Sequence, residues 1–155
     1  MSDVVLVAVD DSRAAFRAAE VAVDYARRLG AHLRAVTVSE PGALARHPGS
    51  IDPDALARQA DLAAEAALRH VAAMGAAAGV EVSVSRRSGR IAAEILAEAR
   101  DVGAALIVVA LVDRPGGATP YIGSHTLRIL EFSGVPVMVV PLPGPSAPGG
   151  SPGGA

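Results

Sequence analysis

The chain has 155 residues, enough for one domain with a substantial core, and 51% of them are hydrophobic while 19% are charged. A formal net charge of −2, no tryptophan and only two Phe and two Tyr argue against nucleic-acid binding, which needs cationic surface and aromatic stacking partners. No apolar run approaches the roughly 18 residues of a membrane span, so no membrane association is expected. The absence of cysteine excludes disulfides and thiol catalysis.

The first residues, MSDVVLVAVDD, carry no basic segment, and their apolar run is too short for a signal peptide. We therefore expect a cytoplasmic protein. The four histidines are not spaced as zinc ligands usually are, and no metal site is predicted.

Apolar runs and helical patterns alternate along the chain. The run VVLVAV at residues 4–9 is typical of a strand covered on both faces. Ser12 is a suitable N-cap for a helix that ends at Gly30, a glycine placed after two arginines. A second strand is predicted at residues 32–38, and the prolines and glycines of residues 39–51 predict a loop.

The second half repeats this alternation. Asp52 followed by Pro53 predicts a helix start, and the alanine-rich helix behind it ends near Gly79. The alternating pattern VEVSVS at residues 80–85 predicts a strand exposed on one face, near a sheet edge. The remaining predictions are a helix at 90–102 stopped by Gly103, a strand at 105–110, a helix after Gly123 and a strand at 135–140.

This order predicts an α/β fold, a single open doubly wound parallel sheet with helices on both faces. Such sheets bind ligands at the carboxyl ends of their strands, where the strand order reverses. The loops after the first strand, at residues 10–12, and after the fourth, at residues 110–124, are therefore the candidate binding loops. We assign residues 1–141 to the domain and residues 142–155, rich in proline and glycine, to a disordered tail.

Several stretches resemble the universal stress protein family, and the resemblance extends over nearly all of residues 3–140. They are LVAVDDS at 6–12, LGAHLRAVTV at 29–38, GAALIVVA at 103–110, GS at 123–124 and VPVMVV at 135–140. Family membership implies a five-stranded parallel sheet in the order 3-2-1-4-5 and a homodimer. In many members it also implies bound ATP.

The nucleotide signature of that family is a glycine, two residues, a second glycine, nine residues, and a glycine followed by Ser or Thr. Here Gly123-Ser124 completes the signature at the correct spacing, but Ala110 and Asp113 replace the first two glycines. A side chain at position 113 disfavours the positive φ angles that glycine adopts freely. Its carboxylate would also face the polyphosphate, at a cost of about 3 kcal/mol for charges ~5 Å apart at an effective dielectric constant of ~20.

We therefore predict that ATP binding is weakened or lost. Two alternatives retain ATP or AMP as ligand: Gly116-Gly117 rebuild the phosphate loop, or Asp113 holds a magnesium ion on the phosphates. Magnesium is expected only together with nucleotide.

The resemblance also assigns the adenosine end of the site. Asp10 matches the acidic residue that holds the ribose hydroxyls, while Val9 and Val38 fall where the adenine is enclosed. Without the resemblance, Asp10 would be interpreted as a turn residue that ends a strand.

The phosphate end is assigned to the start of the last helix. Gly123, Ser124 and Thr126 fall where the family binds phosphate through amides and hydroxyls, an arrangement that the helix dipole favours. His125 departs from the commonly aliphatic residue there and, when protonated, would help to neutralise a phosphate. Ser124 is in addition a good N-cap, a structural role that needs no ligand.

No catalytic residue is predicted. The chain lacks lysine and the GxxxxGK[ST] loop, and Ser124 does not lie in a GxSxG motif. We expect a dimeric stress-response module with an adenine-nucleotide-type pocket and an unidentified protein partner; a nucleotide hydrolase is the remote alternative. The apolar strand at residues 135–140 would be the dimer interface. The arginines at positions 86, 87 and 90 form either an anion patch or an ordinary solvated cluster.

Overall fold

The computed structural model describes residues 3–42, 52–111 and 123–142. Its elements in chain order are β1 Val4–Ala8, α1 Arg13–Leu29, β2 His32–Ser39, α2 Pro53–Ala77, β3 Val82–Ser88, α3 Ile91–Val102, β4 Ala104–Ala110, α4 Ser124–Phe132 and β5 Val137–Val140. Within these described ranges no helix combines the length and the apolarity needed to cross a membrane.

The five strands form one parallel sheet in the order β3-β2-β1-β4-β5. The predicted fold class and strand order are thus confirmed. From β1 the chain continues to β2 and β3 on one side of the sheet and then to β4 and β5 on the other, so the strand order reverses beside β1. The loops that follow β1, β2 and β4 lie at the carboxyl ends of these strands, next to that reversal.

Helices cover both faces of the sheet. Val5 and Val7 point into a core formed with α1 and α2, while Leu6 and Ile107 point into a second core formed with α3 and α4. Alternation of side chains along each strand explains why the apolar runs are continuous in sequence, since both faces of the central strands are buried.

The predicted helix ends are largely confirmed. Ser12 caps α1 by accepting a hydrogen bond from the Ala15 N–H at 3.1 Å, and Asp52 caps α2 through the Asp54 N–H at 3.0 Å. Gly30 and Gly103 end α1 and α3 with φ angles of 63° and 62°, a left-handed conformation that favours glycine.

Two strands begin later than predicted. β3 begins at Val82 and continues to Ser88, because it pairs with β2 as far as Ser39. Its alternating exposure and its edge position agree with the prediction. β5 begins at Val137, two residues later than predicted, because Pro136 has no N–H to donate; its carbonyl still accepts a bond from Ile107 at 3.0 Å.

Candidate functional site

A cavity of about 490 Å³ opens at the carboxyl ends of β1, β2 and β4. The first turns of α1 and α4 and the side of α3 complete its wall. Its position is the one that the strand order predicts for a ligand site, and its volume lies within the range of pockets that hold small molecules.

Six of the nine predicted site residues line this cavity: Val9, Asp10, Val38, Ala110, His125 and Thr126. Gly123 and Ser124 lie at the start of α4 but do not contribute to its wall. Asp113, Gly116 and Gly117 lie outside the described residues, as do residues 143–155 of the predicted tail. The predictions for those positions therefore remain predictions.

Asp10 forms part of a turn and also faces the cavity. Its Oδ1 accepts a hydrogen bond from the Ser12 N–H at 2.8 Å, which fixes the path of the chain from β1 into α1. The turn interpretation and the ligand interpretation of Asp10 are thus compatible, since the turn uses one of the two carboxylate oxygens.

The prediction that Ser124 caps α4 is wrong. Gly123 is the N-cap, with φ −63° and ψ 157°, and Ser124 is the first helical residue. Among the described residues, no side chain caps this end of the helix, because glycine has none to offer and Ser124 has helical backbone angles. Within that part of the chain, the amides of the first turn lack a side-chain acceptor at a point where the helix dipole is positive.

Thr126 is the most buried polar residue of this turn. It is 4% exposed and lines the cavity, while His125 beside it is exposed. A hydroxyl and a histidine on consecutive residues thus reach the same cavity from α4.

The sequence analysis did not assign several residues of the wall to the site, among them Arg13 at the start of α1 and Ile95 on α3. Ser12, also in the wall, belongs to the predicted binding loop at residues 10–12 but was assigned only as a helix cap. Arg13 carried a usable signal, because it is the first residue of a helix that follows a strand at the binding edge of the sheet. Ile95 had no such signal beyond its place on an apolar helix face.

A second cavity of about 450 Å³ lies on the other side of β2, between that strand and α2. It shares Asp10 and Val38 with the first cavity and includes Gln59, Arg86 and Arg87 in its wall. Among the described residues, no group of three or more His, Asp or Glu side chains is arranged to hold a metal ion in either cavity.

Two of the three arginines of the predicted cluster, Arg86 and Arg87, form ion pairs. Arg87 donates to Glu94 at 2.7 Å, to Glu98 at 2.8 Å and to Asp101 at 3.2 Å, and these hydrogen bonds raise the pKa of its guanidinium. Arg86 pairs with Asp61 at 2.6 Å. Arg86 and Arg87 are thus paired with carboxylates, which argues against their interpretation as an anion patch, while Arg90 is exposed and makes no ion pair with a described residue.

A sequence model described as the universal stress protein family matches residues 1–141. The chain belongs to the universal stress protein family. No match was found among curated protein sequences.

Solved universal stress proteins have the same fold. UspA from Lactobacillus plantarum is 27% identical, with a TM-score of 0.67 over 89% of this chain and 97% of that one. A universal stress protein in complex with cAMP is 23% identical, with a TM-score of 0.64 over 90% and 96% of the two chains. A universal stress protein from Archaeoglobus fulgidus in complex with dAMP is 18% identical, with a TM-score of 0.67 over 90% and 98%.

Proposed function

We propose that this chain is a non-catalytic stress-response module that binds an adenine nucleotide in the cavity at the carboxyl end of its sheet, with ATP binding weakened. The observation that carries the proposal is the convergence of Val38, Asp10 and Thr126 on one cavity of about 490 Å³. Val38 in β2 supplies an apolar group, Asp10 after β1 supplies a carboxylate, and Thr126 on α4 supplies a hydroxyl.

The residues present fit a nucleotide. Val9 and Val38 offer apolar contact and backbone groups to an adenine. Asp10 keeps Oδ2 for the ribose hydroxyls, since its Oδ1 is engaged by Ser12. The uncapped first turn of α4, with the Thr126 hydroxyl and His125, suits a phosphate. The cAMP and dAMP complexes of two proteins of the same fold support this ligand class.

Weakened ATP binding rests on positions 110 and 113. Ala110 ends β4 and lines the cavity, so that its methyl group takes space that a glycine would leave to the ligand. Asp113 adds a carboxylate to the segment where the family signature has its second glycine. The alternatives with Gly116-Gly117 or with magnesium at Asp113 predict tight ATP binding, and in the second case binding that requires magnesium.

Calorimetric titration with AMP and with ATP, each with and without magnesium, tests the proposal once co-purified nucleotide has been removed. We expect AMP to bind and ATP to bind more weakly, without a magnesium requirement. The double variant Ala110→Gly/Asp113→Gly should raise ATP affinity by up to about a hundredfold, the equivalent of about 3 kcal/mol.

Asp10→Asn provides the test of the pocket itself, because asparagine keeps the hydrogen bond to Ser12 but loses the charge. We expect it to weaken AMP binding, whereas Asp11→Asn, one residue away and outside this cavity, should not. If the wild type binds neither AMP nor ATP, or if the two variants behave alike, the proposed site is wrong.

We further propose that the chain forms a homodimer through the strand at residues 135–140 and acts on an unidentified protein partner in the cytoplasm. Support for the dimer comes from the edge position of β5 and from exposed Leu127, Leu130 and Phe132 on α4, the helix beside that edge. Apolar edges of this kind are seldom left bare.

A further inference from the structure

The start of α1 brings a cation to the cavity. Arg13 is the first residue of that helix and lines the cavity together with Ser12 and Ala14. No other arginine of the described residues lines it, and the chain has no lysine. Among the described residues, Arg13 is therefore the one side chain with a permanent positive charge in the wall of this cavity.

Unlike the other arginines of α1, Arg13 has no carboxylate partner among the described residues. The other three arginines of α1 pair with carboxylates on the same helix: Arg17 with Glu20, and Arg27 and Arg28 with Asp24. Arg13 makes no ion pair with any carboxylate in residues 3–42, 52–111 and 123–142.

Backbone donors lie beside this charge. The Ser12 hydroxyl accepts a hydrogen bond from the Ala15 N–H at 3.1 Å, and the Phe16 N–H donates the first backbone hydrogen bond of the helix to the Ser12 carbonyl. The N–H groups of Arg13 and Ala14 are left without an acceptor inside the helix. Amides at a helix start favour an anion, and the guanidinium strengthens that preference.

A second, independent group lines the same cavity from α4. Thr126 is 4% exposed there, and its hydroxyl can donate a hydrogen bond to a ligand oxygen. An anion in this cavity would thus meet donors from two helices, with Arg13 on one side and Thr126 among the groups on the other.

We propose that Arg13 binds the phosphate attached to the ribose, so that the pocket selects nucleoside monophosphates, linear or cyclic, over the uncharged nucleoside. This inference rests on the proposed function. Asp10 and Arg13 lie three residues apart in sequence and line the same cavity, so we expect a ribose held by Asp10 to direct its own phosphate, rather than the distal phosphates of ATP, toward Arg13. Arginine matches a phosphate with two parallel hydrogen bonds.

Titrations with adenosine, AMP and cyclic AMP test the proposal in the wild type, in Arg13→Gln and in Arg17→Gln. Arg17 is the matched control, because it lies one turn further along α1, pairs with Glu20 and is outside the cavity wall. Arg13→Gln should weaken AMP binding by about tenfold to a hundredfold, the range for a lost charge-assisted hydrogen bond. Adenosine binding should stay unchanged, and Arg17→Gln should match the wild type with all three compounds.

Comparison of AMP with cyclic AMP identifies which phosphate arrangement Arg13 prefers, and a loss for either compound in Arg13→Gln supports the proposal. Arg13→Lys keeps the charge without the two-fold donor geometry and should lie between the wild type and Arg13→Gln. Thermal melts of each variant separate a binding loss from a folding loss, and Arg13→Lys keeps the comparison available if Arg13→Gln is unstable.

Unchanged AMP and cyclic AMP binding in Arg13→Gln would overturn the inference while leaving the proposed function intact. Equal losses for adenosine and AMP would also overturn it, since the contact would then not be with phosphate. If the wild type binds none of the three compounds, the proposed function fails and this inference fails with it.

Discussion

Glu98 on α3 is a carboxylate buried in the sheet–helix interface, and its charge is balanced by two arginines from neighbouring strands. It is 2% exposed, and it accepts hydrogen bonds from Arg34 of β2 at 2.7 Å and from Arg87 of β3 at 2.8 Å. Burial opposes ionisation of Glu98, but the hydrogen bonds from the two arginines outweigh burial and lower its pKa. The ionised form is thus part of the folded structure.

Glu98→Gln should lower the free energy of unfolding by about 2–4 kcal/mol, because two arginines lose the charge that balances them. Chemical denaturation at neutral pH measures this. Glu20→Gln removes an exposed partner of Arg17 and should cost less than about 0.5 kcal/mol. Similar losses in the two variants would contradict a special role for the buried carboxylate.

The stability that Glu98 contributes should depend on pH in a defined direction. Because its pKa is lowered on folding, the contribution is complete above the ordinary value of 4.5 and declines as pH falls through the lower folded value. The stability difference between wild type and Glu98→Gln should therefore narrow below pH 4.5. Urea denaturation series at several acidic pH values check this, and a difference that widens would contradict it.

At the scale of elements, the long helix α2 approaches β3 closely at one glycine. Gly75 is buried, and a methyl group there would fall on Val82 Cγ2 and lie 3.4 Å from the Val80 carbonyl oxygen. Helix propensity alone favours alanine over glycine by about 1 kcal/mol in a helix interior. The packing against β3 opposes that preference, and Val82 has little freedom to move because it is β-branched.

Gly75→Ala should therefore destabilise the protein by about 1–3 kcal/mol, contrary to the sign that helix propensity gives. Thermal unfolding measures the change. In a Val82→Ala background the clash is relieved, so the same substitution should become neutral or stabilising. If Gly75→Ala stabilises the protein with Val82 in place, the close approach of α2 to β3 is not a constraint.

At the scale of the whole molecule, the two edges of the sheet differ in character. The β3 edge carries Arg86 and Arg87 with their ion pairs, and charged side chains on an edge discourage further strand pairing. The β5 edge is apolar, with the sequence VMVV, and lies beside the exposed Leu130 and Phe132 of α4. The difference favours β5 over β3 as the interface of the proposed homodimer.

Val139→Lys should yield monomer or insoluble protein, because it places a charge in the proposed two-fold interface; Val137→Lys should act in the same way. Size-exclusion chromatography with light scattering measures the oligomeric state. Val84→Lys is the control, since Val84 is 45% exposed on the opposite edge strand and should leave the dimer intact. A Val139→Lys protein that remains dimeric would argue against this interface.

The sequence by itself determined the elements and their class. Ser12, Gly30 and the Asp52-Pro53 pair act through hydrogen bonds and backbone angles within one turn of the chain, so their effects are visible locally. Strand–helix alternation then restricts the fold to a parallel sheet. Two local predictions failed because an adjacent residue changed the outcome. β5 begins only after Pro136, and Gly123, not Ser124, is the N-cap of α4.

Only the tertiary structure decided which distant residues meet. Arg34 and Glu98 are separated by 64 positions, yet they form a hydrogen bond because β2 and α3 pack together. Arg13 and Thr126 are more than a hundred positions apart, and the strand order β2-β1-β4 brings the starts of their helices to one cavity. The sequence specifies which side chains are available. Which of them meet at one site depends on strand order and register, and these are set by packing across the whole sheet.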